Sequence, residues 1–359
     1  MDWLIAKASG QPDRNAAPTG VGPGADVGRR SSEPGVDGYR VVDAVVVGGG
    51  IAGASVAWAL AVRGASVVLV EQEAQTGHHA TGRSAALLNE TVGHPVVGAL
   101  ARASRPFLAE PPPGFVDHPL LAPRGLLWVG EDTAALDAVA KEATAGAVER
   151  LDATAAAALV PELRATWAAA GGVHEAEARS VDVAALLQAY VRGVRSRGGD
   201  VATAHEAVRL SPLIGGGWRV EAAGATLVGR TVVDAAGAWG DVVAGRAGVM
   251  PLGLTPLRRT ACIVPVPDGH DVRGWPLIMD VAGGFYAEPE PGGLLVSPGD
   301  ETPVEPGDAR PDELDVALGL DRLREATTLP VRAVRRAWAG LRTFASDRAP
   351  VAGFDPDAP

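Results

Sequence analysis

The chain has 359 residues, 47% of them hydrophobic, and a formal net charge of −11. That length and apolar content suit one large domain or two interleaved ones, and an acidic chain without a basic cluster argues against nucleic acid as a partner. Its one cysteine, Cys262, excludes an internal disulfide and a cysteine-based zinc site. The histidines show no metal spacing, and no apolar run approaches the roughly 20 residues that span a bilayer. Met1–Lys7 is too short and wrongly charged for a secretory signal, so a cytoplasmic location is expected.

Residues 1–40 are rich in Gly, Pro, Asp, Arg and Ser and read as a disordered leader. The apolar run Val42–Val47 then reads as a buried strand. Gly48, Gly50 and Gly53 follow with G-x-G-x-x-G spacing, a helical pattern runs from Ala52 to Ala61, and a second β-branched run, Ser66–Val70, ends in Glu71. This is a βαβ unit of the dinucleotide-binding kind. Gly48 permits the tight turn, Gly50 lets a pyrophosphate approach the backbone, and Gly53 lets the helix pack on the strand. The helix N-terminus offers unpaired N–H groups and about half a positive charge. Glu71 stands near the ~20-residue spacing of an acid that accepts from ribose hydroxyls.

NAD and FAD both use this unit. A nicotinamide enzyme continues into another βαβ repeat, whereas this chain continues into a small-residue loop, Gly77–Ala86, with Thr81, Arg83 and Ser84. Backbone N–H groups, hydroxyls and one guanidinium there could close over a diphosphate from its second side. On these residues the chain resembles the D-amino acid oxidase superfamily of flavoproteins. Within it, His79–Ala86 and several later stretches resemble the bacterial FAD-dependent D-arginine dehydrogenases. The resemblance implies FAD, held by Gly48, Gly50, Ile51, Ala52, Gly53, Glu71, Gln72, His79, Thr81, Gly82, Arg83, Ser84 and Ala85. It adds Val208 as a backbone contact to adenine, and Ala236, Gly237 and Trp239 in a later turn.

Further along, helical spacing is expected over Pro95–Leu108, Asp132–Ala145, Asp152–Leu159, Asp182–Arg197 and Pro311–Thr327. Strands are expected at 125–129, 201–204, 206–210, 218–222, 226–228 and from Thr231 into the Ala235–Trp239 turn. More follow at 258–266, 277–281, 285–290, 293–297 and 331–344. The order implies a mixed α/β (α+β) fold. A Rossmann-type FAD domain (41–119, 176–246, 343–359) is interleaved with an antiparallel-sheet substrate domain (120–175, 247–342).

Two arginines lie in apolar strands, Arg259 and Arg342. A guanidinium there needs an anionic partner, either a protein acid or a substrate carboxylate held by paired N–H donors. The resemblance implies the carboxylate for both, with Tyr286 as an active-site tyrosine; Arg258 is expected to be solvated. It also implies a pocket of Leu87, Asn89, Val92, Leu126 and Gly340. The D-arginine enzymes hold their substrate's guanidinium with a histidine, a tyrosine and a glutamate. The matching positions here are Leu87, Val92 and Leu126, so an apolar side chain is expected instead.

The expected activity is oxidation of a D-amino acid to the imino acid by hydride transfer to flavin, followed by hydrolysis to a 2-oxo acid. The electron acceptor (oxygen, a quinone or another) leaves no mark in the sequence. A glycine- or sarcosine-type amine oxidase is the rival within the enzymes. Family members continue past the counterpart of Phe354, so by that comparison the chain is expected to be C-terminally truncated. A weak or inactive flavoprotein remnant is therefore the second rival.

Overall fold

A computed structural model describes residues 39–144 and 147–358. The expected leader before residue 39 and the Ala145 end of one expected helix lie outside the described residues. Four of the expected helices start where the sequence places an aspartate, because Asp132, Asp152, Asp182 and Asp312 each accept a backbone N–H of the first turn.

The run after Tyr39 forms the strand Arg40–Val47, with Val45 and Val46 fully buried. It pairs in parallel with Val67–Val70 on one side and with Ala225–Asp234 on the other. These three lie in a six-stranded sheet whose order is Ala207–Pro212, Trp218–Ala222, Ala225–Asp234, Arg40–Val47, Val67–Val70, Asp200–Ala202. The two short strands expected at 226–228 and from Thr231 are one continuous strand. Gly229 inside it does not break the strand but admits a neighbour: a Cβ there would stand 3.0 Å from Val45 Cγ2.

The helices Ile51–Val62 and Val183–Arg195 cover one face of this sheet. They meet at Trp58, whose ring contacts Phe107, Phe115 and Tyr190 at 5.3–5.8 Å between centroids. A Cβ on Gly193 would lie 2.3 Å from the Trp58 ring, so only glycine lets the two helices close this far. Burial in the cluster pushes the Tyr190 phenol up to about 12.

The second sheet has nine strands and draws on other parts of the chain. Its core order is Thr302–Pro303, Thr255–Val264, Gly293–Ser297, Tyr286–Glu290, Leu277–Asp280, Leu126–Val129, Gly172–Glu175, Glu149–Leu151. Arg336–Phe344 pairs along the length of Thr255–Val264. Pairing is antiparallel except between Leu277–Asp280 and Leu126–Val129. The strand expected from Val331 begins at Arg336. Because strand side chains alternate, the register sorts this sheet into two faces. Leu127, Ile278, Ala287, Cys262 and Val296 point into a core shared with the helix Glu313–Ala326. Leu126, Met279, Tyr286, Arg259, Gly340 and Arg342 share the opposite face.

A small third sheet, Leu87–Leu88, Arg179–Val181 and Leu121–Pro123, was not legible in the sequence. Its strands are two or three residues long, too short for a periodicity to show. No helix among the described residues is long and apolar enough to cross a membrane.

Candidate functional site

The glycine turn has the shape its spacing implies. Gly48 adopts φ +108°, and a Cβ on it would lie 2.4 Å from Ala235 O. A Cβ on Gly53 would lie 1.9 Å from Gly48 O. At Gly50 the nearest atom to a Cβ is Thr81 Oγ1, at 3.3 Å. The helix opens at Ile51, with Ala52 and Gly53 in its first turn; Gly50 supplies no side-chain cap, and no acid sits in that turn. Its positive end therefore carries no compensating acid, as an anion site requires. Glu71 is 8% exposed and braces the turn: its carboxylate accepts Gly49 N–H at 2.6 Å and Glu73 N–H at 2.8 Å. Half-buried Gln72 follows it at the strand end.

The Gly77–Ala86 loop folds back onto this turn. Residues Ala80–Arg83 make one turn of 3₁₀ helix, held by Gly82 N–H to Gly77 O at 2.9 Å and by Ser84 Oγ to Thr81 O at 3.0 Å. Thr81 Oγ1 accepts Ile51 N–H at 3.0 Å, which fixes the loop to the helix N-terminus. His79 bonds Glu73 at 2.9 Å and packs its ring 4.5 Å from that of Trp239. The Ala235–Trp239 turn is thereby brought to the same place. Ala236 N–H is held by Asp234, and Gly237 takes φ +57°. Asp234 is open to solvent yet ringed by protein atoms, and that burial pushes its carboxyl up to about 6. Val208 is exposed and sits at a register shift between Ala207 and Arg209. Ala85 is half-buried beyond the loop. Glu73, His78 and His79 bring three possible ligand atoms within 4.8 Å of one another, a grouping their spacing had not suggested. The His79 bond to Glu73 and the ring packing account for it.

Arg83 departs from expectation. Its guanidinium does not turn toward the glycine turn. It donates to His78 O at 3.2 Å, Ala309 O at 3.1 Å and Ala339 O at 2.9 Å, and it pairs with Asp308.

On the Tyr286 face of the nine-stranded sheet, Arg259 and Arg342 are diagonal neighbours, since Arg259 pairs with Gly340 and Leu257 with Arg342. Arg259 already has an anion: it bonds Glu301 at 3.0 Å and Asp300 O at 2.8 Å, and Glu301 also takes Arg348 at 2.6 Å. Arg342 has no ion pair among the described residues; its guanidinium lies 5.0 Å from the centroid of the Phe344 ring. It is exposed to solvent yet has protein atoms packed around it. That burial, and then the Arg259 guanidinium, lower its pKa.

Arg258 was expected to be solvated, and it is not. It projects to the other face, where its side chain is 19% exposed and meets Asp315 at 2.8 Å, Asp312 at 3.5 Å and Asp300 at 3.7 Å.

Leu126 is fully buried with Ala178 and Leu277, and Leu87, Val92, Met279, Trp128 and Tyr286 pack against them. Of the residues expected to line a pocket, Leu87, Val92 and Leu126 pack together, and Asn89 and Gly340 are not in this cluster. Asn89 is committed to its own turn: its Oδ1 accepts Val92 N–H at 2.9 Å. Beneath it Glu175, 1% exposed, accepts Glu90 N–H and Thr91 Oγ–H, both at 2.7 Å. Glu288 was missed by the sequence reading. It is 0% exposed, leaves the sheet on the Tyr286 side, and burial pushes its carboxyl up to about 8.

The profile of the family described as "FAD dependent oxidoreductase" matches residues 43–359. Among solved structures, glycine oxidase from Geobacillus kaustophilus is similar at 24% identity and a TM-score of 0.75, over 89% of this chain and 87% of that one. L-alpha-glycerophosphate oxidase from Mycoplasma pneumoniae, with FAD bound, is similar at 17% identity and a TM-score of 0.78, over 89% and 88%. L-proline dehydrogenase from P. horikoshii matches at 18% and 0.76, over 89% and 86%. At these identities the likeness is one of fold.

Proposed function

Since the chain belongs to the DAO family of FAD dependent oxidoreductases, we propose that it oxidises a D-amino acid with an apolar side chain. The products are the imino acid and, after hydrolysis, the 2-oxo acid. FAD is the cofactor, and when bound it supplies the acceptor for the hydride leaving the substrate α-carbon. The Gly48–Gly53 turn, the Ile51 helix end and the Thr81 hydroxyl would hold its diphosphate, and Glu71 its ribose.

The observation that carries the reading is Arg342, an accessible guanidinium without an ion pair among the described residues, on the same face as Tyr286, which packs against the Leu126 cluster. Arg342 binds the substrate carboxylate through paired N–H donors. Arg259, paired with Glu301, lies close enough to Arg342 to add to the positive potential there. Tyr286 hydrogen-bonds the carboxylate. Leu87 and Val92, packed over the buried Leu126, present methyl groups to the side chain and no acceptor to a guanidinium. The chain is thus similar to the D-arginine dehydrogenases in its motifs but not in its expected preference.

A glycine- or sarcosine-type substrate is the second reading, favoured by one observation: Leu126 and Leu277 are 0% and 2% exposed, so their cluster is closed on itself. A panel of D-leucine, D-methionine, D-phenylalanine, D-arginine, glycine and sarcosine, read by anaerobic flavin bleaching, separates the two. Fastest bleaching by an apolar D-amino acid supports the first reading, and by glycine or sarcosine the second. Fastest bleaching by D-arginine overturns the pocket argument.

A further inference from the structure

Arg83 joins two parts of the molecule that sequence keeps far apart. On one side it ends the 3₁₀ turn whose Thr81 is bonded to the Ile51 helix N-terminus. On the other it lies across the strand Arg336–Phe344, with Nη1 on Ala339 O at 2.9 Å, while its own carbonyl accepts Trp338 Nε1–H at 3.1 Å. Gly340 faces it so closely that a Cβ there would lie 3.3 Å from Arg83 Cβ and 3.9 Å from its Cδ. Trp338, Gly340 and Arg342 alternate onto one face of that strand, so Arg342 is the next side chain beyond this contact. The same guanidinium reaches Ala309 O and Asp308, closing a third segment onto the pair.

We propose that Arg83 is a positioning residue that sets the Arg342 strand in register with the cofactor loop, so that carboxylate recognition depends on the state of that loop. The proposal rests on Arg342 holding the substrate carboxylate. A contiguous path runs from the Ile51 N–H through Thr81 and Arg83 to Ala339 and Gly340, every step a hydrogen bond, a single turn of chain or a van der Waals contact. A movement of Thr81 when the diphosphate site fills is passed to the backbone that carries Arg342. By linkage, a carboxylate at Arg342 must then tighten FAD by the factor by which FAD tightens the carboxylate. The fork geometry is essential: one planar guanidinium serves three carbonyls and a carboxylate, which a lysine ammonium cannot match.

The test uses the full chain with FAD and the 2-oxo acid pyruvate as probe, titrated against the flavin absorption band. FAD affinity is measured with and without saturating pyruvate. Arg83→Lys is expected to weaken pyruvate by about 10–100-fold, as for loss of a charged hydrogen bond. KM for the amino acid should rise while kcat stays within a few-fold, and pyruvate should no longer tighten FAD. Gly340→Ala, which keeps every Arg83 donor, should shift pyruvate affinity in the same direction by less. Asp308→Asn, at the exposed end, should change it little. Pyruvate affinity within twofold of the parent in FAD-loaded Arg83→Lys overturns the proposal. If that variant does not retain FAD, the same outcome in Gly340→Ala overturns it. Arg342→Lys separates the two failures: if it too leaves pyruvate binding unchanged, the carboxylate assignment fails and the proposal falls with it.

Discussion

Arg124 Nε comes within 3.7 Å of Glu288 Oε2, yet neither carboxylate oxygen of Glu288 has a hydrogen bond. Arg124 gives its Nε–H to Ser180 instead. Burial then outweighs the nearby cation, and Glu288 is held largely protonated at neutral pH.

This pair makes stability depend on pH. The folded-state value of about 8 lies above the ordinary 4.5, so between them the native state binds the extra proton. The contribution is fully present below pH 4.5 and is lost as pH rises through about 8, at up to about 1.4 kcal/mol per pH unit. Glu288→Gln removes the titration. The expected outcome is a smaller drop in melting temperature between pH 5 and pH 8 than in the parent; an unchanged drop would show that Glu288 does not titrate in this window.

Arg342 and Arg258 should separate binding from stability. Arg342→Met is expected to raise KM at least tenfold while leaving the melting temperature within a few degrees, because it removes a cation without a protein anion. Arg258→Met leaves Asp300, Asp312 and Asp315 without their shared cation, at a cost of about 3 kcal/mol. Denaturant unfolding and steady-state kinetics on the two variants check this; equal effects on KM would sink it.

Gly53→Ala would place a Cβ 1.9 Å from Gly48 O, a backbone atom that cannot yield without opening the turn. Loss of FAD retention on gel filtration is expected. Thr81→Ala frees Ile51 N–H and should weaken FAD more mildly, by about tenfold, as for one hydrogen bond. Retention of stoichiometric FAD by Gly53→Ala would overturn the assignment of the turn.

Leu126→Glu puts a carboxylate into the apolar cluster beside Leu87 and Val92. The chain should lose stability by a few kcal/mol, since the group is desolvated, and the ratio of kcat/KM for D-arginine over D-leucine should rise. A ratio that stays put means Leu126 does not face the substrate side chain.

The sequence by itself determined the βαβ unit, most helices and the sheet-forming runs. These are local properties: glycine spacing, apolar period and an aspartate before four of the helices act over a few residues of chain. It also showed Leu87, Val92 and Leu126 to be apolar. What it could not decide was where a charged side chain finds its partner. Adjacent Arg258 and Arg259 look equivalent in the chain, but a strand sends them to opposite faces, one to Asp315 and the other to Glu301. Those acids lie 57 and 42 residues away, and only the packing of the Glu313–Ala326 helix and the Asp300–Glu301 turn brings them in. Arg83 is the same case at a separation of 256 residues, where it meets Ala339. Charge and hydrogen bonds are satisfied in space, and that pairing left Arg342, on the Tyr286 face, without an ion pair among the described residues.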